Sequence, residues 1–572
     1  MKLLSITLDG EYKGLRSDTF DFSQSEGRLL AFIGLNGSGK SQLLELIAES
    51  FAYLERKQRT DFKTRTPLGF SVTLIYQLTK QSIHTANSPG MVAGDPMAVA
   101  GGIRNPRFKV DIDLAGNVTS SVFKEGEWLE ISFDGVELPS YVVGYSSGLN
   151  ENLQRSFMKN AVQFFDVMRI RANHRKELAG DIKELDVVQI NKRYLKRNPH
   201  IFSAPEGEAF EQDGLLSLRE SDTRVPNSLF MDYDCCALLM ASFAILPDPE
   251  IDSLLSEVRF KFPKLVKLKY NLRGGVAGDD SVEDIKLLIR AGGEGCVEGS
   301  GNRTSDDEYN IYELEYLAGE ITLDLSREEV REQLSSANYG EPLRLFKRLY
   351  KLQLLGLSNW QGENLKKLRK CYFIETVKKP LKGKLPLSVE RLELADKSGQ
   401  CVNFDDFSDG EAQLIQILAA ARIFRDEQTL FLFDEPETHL NPSWRTYFHK
   451  HLAQVSKVEY IGTECTQTLL STHSPFMISS LKKSDVYRFE RDDNGFIKMD
   501  KAANQTYGAS FDVLIKEYFD LKSLISQTVV EDIKAHLPKG DSQEEKEKAR
   551  AWLNEHIGES MEKAYLLRKL QE

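Results

Sequence analysis

Residues 28–51 read RLLAFIGLNGSGKSQLLELIAESF. Leu29 to Ile33 is a short, wholly apolar run of the kind that forms a strand buried on both faces. It runs into Gly34-Leu35-Asn36-Gly37-Ser38-Gly39-Lys40-Ser41, which satisfies G-x-x-x-x-G-K-[ST]. Beyond it Leu43, Leu44, Leu46, Ile47 and Phe51 recur at helical spacing. Strand, glycine loop and helix in that order make a phosphate cradle. Glycines let consecutive N–H groups turn inward, and the helix N-terminus adds partial positive charge. Lys40 is the candidate for the β- and γ-phosphates and the Ser41 hydroxyl for Mg²⁺. Gly34, Asn36, Gly37, Ser38, Gly39, Lys40, Ser41 and Gln42 form the candidate nucleotide-binding set.

The second informative stretch lies far downstream, at residues 403–440, NFDDFSDGEAQLIQILAAARIFRDEQTLFLFDEPETHL. Leu430 to Phe433 reads as another buried strand, and it ends in Asp434-Glu435. Carboxylates at the carboxyl end of such a strand lie beside a phosphate loop in P-loop ATPases. Asp434 is the candidate metal ligand, and Glu435 the candidate base that polarises the attacking water. Ser408, Gly410 and Glu411 open a helix predicted from Ala412 to about Phe424, which makes a second anion-binding corner. Further on, Leu469-Leu470-Ser471-Thr472-His473-Ser474-Pro475 is a strand ending near a histidine, with His473 the candidate for the γ-phosphate.

Together these elements resemble the ABC-type ATPase head, including its SMC and Rad50-like branch. The resemblance identifies Gly34–Ser41 as Walker A, Ser408–Glu411 as the signature motif and Leu430–Glu435 as Walker B. It identifies Glu437–Asn441 as the D-loop and His473 as the switch histidine. Phe407 and Asp409 depart from the usual L-S-G-G-Q/E signature. The resemblance implies ATP and Mg²⁺ as ligands. It also implies a homodimer or higher oligomer in which one subunit's signature caps nucleotide held by another's Walker A. Gln77 and Gln154 both qualify as the Q-loop glutamine, with the Tyr145–Asn150 region favoured.

The long interval between Ser41 and Ser408 exceeds any plain connection, so it holds further structure. Phe70–Leu78, Phe108–Leu114 and Trp128–Phe133 are predicted strands of an antiparallel β layer. Ser253–Val258, Val282–Arg290, Arg327–Leu334, Pro342–Leu355 and Glu363–Cys371 are predicted helices, and no sustained heptads point to a coiled-coil arm. The expected fold is therefore α/β: a P-loop ATPase head with a mixed sheet and an antiparallel β layer, split by a mainly helical insertion and followed by a short helical tail. The expected boundaries are 1–155 and 385–535 for the two parts of the head, 156–384 for the insertion and 536–572 for the tail. Gln543 to Gln571 is expected to form one amphipathic helix.

The DEPETHLNP and LLSTHSPF segments, TYGASFDVLIKEYF after them, the insertion without heptads and the short tail resemble the PtuA-type ATPases of Septu and retron-associated antiphage defence systems. That resemblance implies a partner HNH nuclease of the PtuB type acting in trans. In retron versions it also implies a reverse transcriptase with its RNA–DNA hybrid product. The chain itself shows no H-N-H spacing and no D-x-D pair after residue 500.

Composition narrows the classes. With 74 Lys+Arg against 86 Asp+Glu, a formal −12 in 572 residues, the chain is not a general DNA-coating protein. Basic clusters stand at Arg169, Arg171, Arg175 and Lys176; at Lys192, Arg193, Lys196 and Arg197; at Lys261, Lys264, Lys267 and Lys269; and at Lys378, Lys379, Lys382 and Lys384. They keep open a RecF- or Rad50-like repair ATPase that clamps DNA directly. A transporter subunit fits less well, because transporter heads lack so long an interval. Six cysteines without a C-x-x-C pair support neither zinc nor a disulfide framework, and read as buried free thiols. The first residues carry no apolar core of a signal peptide and no apolar run reaches spanning length, so a cytoplasmic protein without membrane contact is expected.

Overall fold

The computed structural model describes all residues except 64–66, 80–104, 148–151, 180–181, 206–214, 273–278, 299–317, 357–362, 364–365, 367–386, 457–464, 520–524, 539–541 and 572. Residues 1–507 form one compact unit and 508–572 another. Residues 508–535, read from sequence as the end of the head, thus fold with the tail.

The large unit is built on a seven-stranded sheet. Its order is Ser228–Met231, Tyr141–Ser146, Thr429–Asp434, Gln467–Ser471, Leu29–Ile33, Val486–Arg491 and Ile497–Lys501. All neighbours are parallel except the last pair, an antiparallel hairpin. Leu29–Ile33, Thr429–Asp434 and Gln467–Ser471 are buried at every position, which explains why Leu29–Ile33 and Leu430–Phe433 read as unbroken apolar runs rather than alternating ones. A second sheet is antiparallel, with six strands in the order Leu15–Asp21, Lys2–Tyr12, Ser71–Gln77, Arg107–Ile112, Val118–Lys124 and Glu127–Ile131. This is the expected antiparallel β layer, and the fold is mixed α/β, as expected.

The interval between the two parts of the head differs from expectation in two ways. Its helices include Asp279–Gly292, Glu328–Ala337 and Pro342–Leu354, close to the predicted spans. The predicted Ser253–Val258 helix instead ends early, as Asp248–Leu254, and Glu363–Cys371 lies almost wholly outside the described residues. Besides the helices there is a five-stranded antiparallel sheet, ordered Val297–Glu298, Ala318–Asp324, Phe262–Asn271, Leu387–Ala395 and Cys401–Asn403. Lys264, Lys267 and Lys269, which stood out as a basic cluster, lie on its central strand. Lys267 and Lys269 stand two residues apart, the spacing of one strand face, whereas Lys264 is three residues from Lys267.

The interval is also not separable from the head. Its strand Ser228–Met231 forms the edge of the seven-stranded sheet, and helix Asn152–Leu178 packs along helix Lys40–Gln58. A buried polar network joins them. Asn160 accepts from Arg56 (2.7 Å) and donates to Glu55 (2.7 Å) and to the Ala52 carbonyl (3.2 Å). Lys159 and Arg56 both reach Glu49, at 2.8 and 3.3 Å. Glu55 in turn accepts the N–H groups of Asn227 (2.6 Å) and Ser228 (3.1 Å) at the start of the edge strand. The phosphate-loop helix is therefore fixed from its far end by groups that are costly to leave unpaired.

In the small unit, helices Phe511–Tyr518, Gln527–His536, Gln543–His556 and Met561–Lys569 follow one another. The single amphipathic helix expected over 543–571 is two. Gly558 interrupts it, and Ser560 caps the second by accepting from the Lys563 N–H. Trp552 stacks between His536 and His556, at 4.0 and 5.3 Å. Of the cysteines, Cys235, Cys236, Cys296 and Cys465 are buried free thiols as read, Cys401 is exposed, and Cys371 lies outside the described residues. No helix among the described residues is long and apolar enough to cross a membrane.

Glu55→Ala strips two backbone N–H groups and one side-chain amide of their acceptor inside the protein. The variant is expected to lose about 2 kcal/mol of stability, read as a lower urea midpoint. An unchanged midpoint would show that the network does not hold the helix.

Candidate functional site

The parallel strands align their carboxyl ends, and with them the candidate residues. Register places Ser146 beside Asp434, Asp434 beside Ser471, and Ser471 beside Phe32 of the strand that runs into the glycine loop. One strand thus separates the Walker A and Walker B strands, and it is the one that leads to His473.

The loop itself is shaped by close approach. Gly34 has φ of +146°, and a Cβ there would lie 2.2 Å from the Phe489 carbonyl oxygen, so no other residue fits without moving backbone. The hairpin Val486–Lys501 supports the loop from outside, where Arg491 donates to the Gly37 carbonyl (2.9 Å). The contact of this hairpin with the loop was not legible in the sequence. Arg491 carries no motif that could have announced it.

Lys40 is buried. Its ammonium donates to the carbonyls of Gly34 (3.0 Å) and Leu35 (3.2 Å), and lies 3.0 Å from His473 Nε2. Burial pushes its pKa down to about 8, against the opposing pull of Glu435, Asp434 and Glu437. The Ser41 hydroxyl donates to Asp434 (2.8 Å), and Ser471 donates to the same oxygen at 2.5 Å. Burial raises the Asp434 pKa, while these two hydroxyls work the other way. A partly desolvated carboxylate beside a hydroxyl is the hard-oxygen pair that suits Mg²⁺.

Glu435 follows with φ of +51°, a left-handed conformation uncommon for a residue with a side chain. Its N–H donates to Ser471, and its carboxylate lies 3.4 Å from His473 Nε2. That contact, ahead of the charge of Lys40, holds Glu435 below the usual carboxylate range. His473 Nε2 therefore stands between a cation and an anion. A neutral Nε2 accepts from Lys40, and a protonated one donates to Glu435. Strain at such a position is characteristic of functional sites.

Lys40, Ser41, Asp434, Glu435 and His473 are thus brought into one cluster. Gln42 sits in the first turn of the same helix, half-buried. Ser38 is buried, and its hydroxyl has no partner among the described residues. The signature residues form a separate corner. Ser408 caps helix Asp409–Ile423, and Ser408 and Glu411 bond each other in a capping box. Gly410 lies so close to the following loop that a Cβ would be 2.7 Å from the His439 carbonyl oxygen. No hydrogen bond among the described residues joins this corner to Lys40 or Ser41. Of the Q-loop candidates, Gln77 ends a strand of the antiparallel layer and Gln154 is buried in helix Asn152–Leu178. The Tyr141–Ser146 strand adjoins Walker B, and Ser147 bonds Thr438 (2.9 Å), while residues 148–150 lie outside the described residues.

Of the basic clusters, Arg171 and Arg175 pair with Glu220, Lys261 is buried against Asp252, and Lys267 pairs with Glu320. Lys378 to Lys384 lie outside the described residues. Lys192, Lys196 and Arg197 on helix Glu184–Arg197 are exposed, with no ion pair among the described residues.

A family model described as an AAA domain, putative AbiEii toxin, Type IV TA system, matches residues 308–479, which include the signature, Walker B and switch segments. No curated protein matches the chain. Among solved structures, the SMC head domain from Thermotoga maritima aligns at 11% identity and TM-score 0.28, over 88% of this chain and 100% of that one. The Smc head with a coiled coil and joint from Pyrococcus yayanosii aligns at 13% and 0.32, over 91% and 100%. The recombination mediator RecF bound to ATP aligns at 13% and 0.31, over 88% and 98%.

Proposed function

We propose that the chain is an ATP-binding and ATP-hydrolysing subunit whose nucleotide state governs a partner. The cluster that joins Lys40, Ser41, Asp434, Glu435 and His473 carries this reading. Lys40 would exchange its bonds to Gly34 and Leu35 for the β- and γ-phosphates. Ser41 and Asp434 would hold Mg²⁺, which when bound supplies positive charge to the phosphate oxygens. Glu435 would accept a proton from the attacking water, and His473 would face the γ-phosphate. The signature corner, self-contained within one head, is free to cap nucleotide held by another copy. The assembly is then a homodimer or higher oligomer with ATP sandwiched between heads.

The partner proposed is an HNH nuclease acting in trans within an antiphage defence complex of the Septu or retron type, in the second case together with a reverse transcriptase and its RNA–DNA hybrid. The sequence resemblance supports it, as does the toxin description of the family model over 308–479. The acidic balance of the chain fits a switch that acts through a partner. A RecF- or Rad50-like repair ATPase that clamps DNA directly is the second reading, and the exposed Lys192, Lys196 and Arg197 favour it. The two differ in solution. A direct clamp binds duplex DNA by itself with steep salt dependence, whereas a defence subunit co-purifies with the product of a neighbouring gene.

Glu435→Gln keeps a hydrogen-bonding side chain but cannot accept the proton. It is expected to bind ATP normally and to turn over at least ~100-fold more slowly, with the head dimer accumulating in size-exclusion chromatography with Mg²⁺–ATP. Turnover at the wild-type rate would remove Glu435 as the base. Lys40→Ala is expected to abolish measurable ATP binding in calorimetry, and unchanged affinity would sink the phosphate-loop assignment.

A further inference from the structure

Glu437, the first residue of the segment read as the D-loop, has no part in the proposed chemistry, yet it is one of the most enclosed charged groups near the site, with 4% of its surface exposed. One carboxylate oxygen, Oε1, accepts two donors from the switch segment: the Thr472 hydroxyl, and the backbone N–H of His473 at 3.2 Å. The Thr472 hydroxyl itself accepts the Ser474 N–H (2.9 Å), which leaves its own hydrogen for Glu437. The other carboxylate oxygen is buried with no partner among the described residues. A buried carboxylate loaded on one oxygen alone is costly, and burial pushes its pKa up. Core packing alone would be served better by an apolar side chain.

The backbone around Glu437 is also tied to the signature helix. The N–H of His439 donates to Gln413 of that helix (3.0 Å), and Gly410 rests against the His439 carbonyl. Thr438 bonds the Glu435 carbonyl (3.0 Å) and Ser147 (2.9 Å). A continuous line of contacts therefore runs from the signature corner, through residues 437–439, to the backbone of His473. The ring of His473 ends that line between Lys40 and Glu435.

We propose that Glu437 is a positioning residue that clamps the His473 backbone and couples the placement of the switch histidine to the helix bearing the signature motif. The inference rests on the ATPase reading of the cluster. The clamp touches neither phosphate-loop backbone nor the Ser41–Asp434 pair, so its loss acts on turnover rather than on nucleotide affinity. An acceptor is what the two donors need, and a glutamine oxygen supplies one, whereas a methionine of similar volume does not.

The test is steady-state kinetics of the full chain with Mg²⁺–ATP, alongside ATP Kd by calorimetry, for wild type, Glu437→Gln and Glu437→Met. A displaced catalytic group costs on the order of tenfold to a hundredfold. The expected result is a loss of that size in kcat for Glu437→Met, with Kd within about twofold of wild type, and recovery of most of the loss in Glu437→Gln. Wild-type kcat in Glu437→Met overturns the inference. So does equal loss in both variants, which would make the charge, not the acceptor, the requirement. Thr472→Val deletes one donor and leaves the carboxylate in place. A fall in its kcat at unchanged Kd supports the clamp, and wild-type kcat opposes it. If the wild-type chain neither binds nor hydrolyses ATP, the ATPase reading fails instead.

Discussion

The head is organised around one buried carboxylate. Asp434 ends a strand that is inaccessible along its whole length, and it accepts hydroxyl hydrogens from Ser41 of the phosphate-loop helix and Ser471 of the neighbouring strand. A carboxylate in that position is tolerated only with partners or a cation. The two hydroxyls thus fix the relative height of the three elements that must meet at a nucleotide. The register of the parallel strands makes this possible, because Asp434 and Ser471 are directly paired. The strain at Glu435 and the contacts of His473 follow from where that row ends.

The charges around Lys40 form a closed arrangement. The ammonium is held by two loop carbonyls and an imidazole, with Asp434 and Glu435 nearby, and burial still lowers its pKa to about 8. A polyphosphate offers this lysine better acceptors than neutral carbonyls. Moving Lys40 onto it would release His473 toward Glu435 and the γ-phosphate position. In the proposed reading, nucleotide entry and assembly of the hydrolytic groups would be one event, with Glu437 setting the backbone from which His473 moves.

Much of this was legible in the sequence, for a physical reason. Strands buried on both faces must be apolar throughout, so Leu29–Ile33 and Leu430–Phe433 stood out, and phosphate-binding loops demand glycine at fixed intervals. In the strand Lys2–Tyr12 the buried residues include Leu3, Ile6 and Leu8, with a register shift at Leu4 between the first two. What escaped was whatever depends on long-range pairing. Ser228–Met231 is too short to be distinctive, yet it completes the ATPase sheet. Phe262–Asn271 looked like a basic cluster because its lysines are close in sequence, yet it is the central strand of a separate sheet. Arg491 and Glu437 act through contacts with partners distant in the chain, and no local pattern marks those contacts. The tail helix was read through Gly558 because the apolar spacing continues on either side of the break.

A structure of the wild-type chain with Mg²⁺ and a non-hydrolysable ATP analogue examines this arrangement at atomic level. The triphosphate should lie along residues 34–41, with Lys40 Nζ moved from the Gly34 and Leu35 carbonyls to the β- and γ-phosphates, and the metal between Ser41 and Asp434. An analogue bound elsewhere, or Lys40 still held by the loop carbonyls and His473 with the analogue in place, would show that the cluster is not a nucleotide switch.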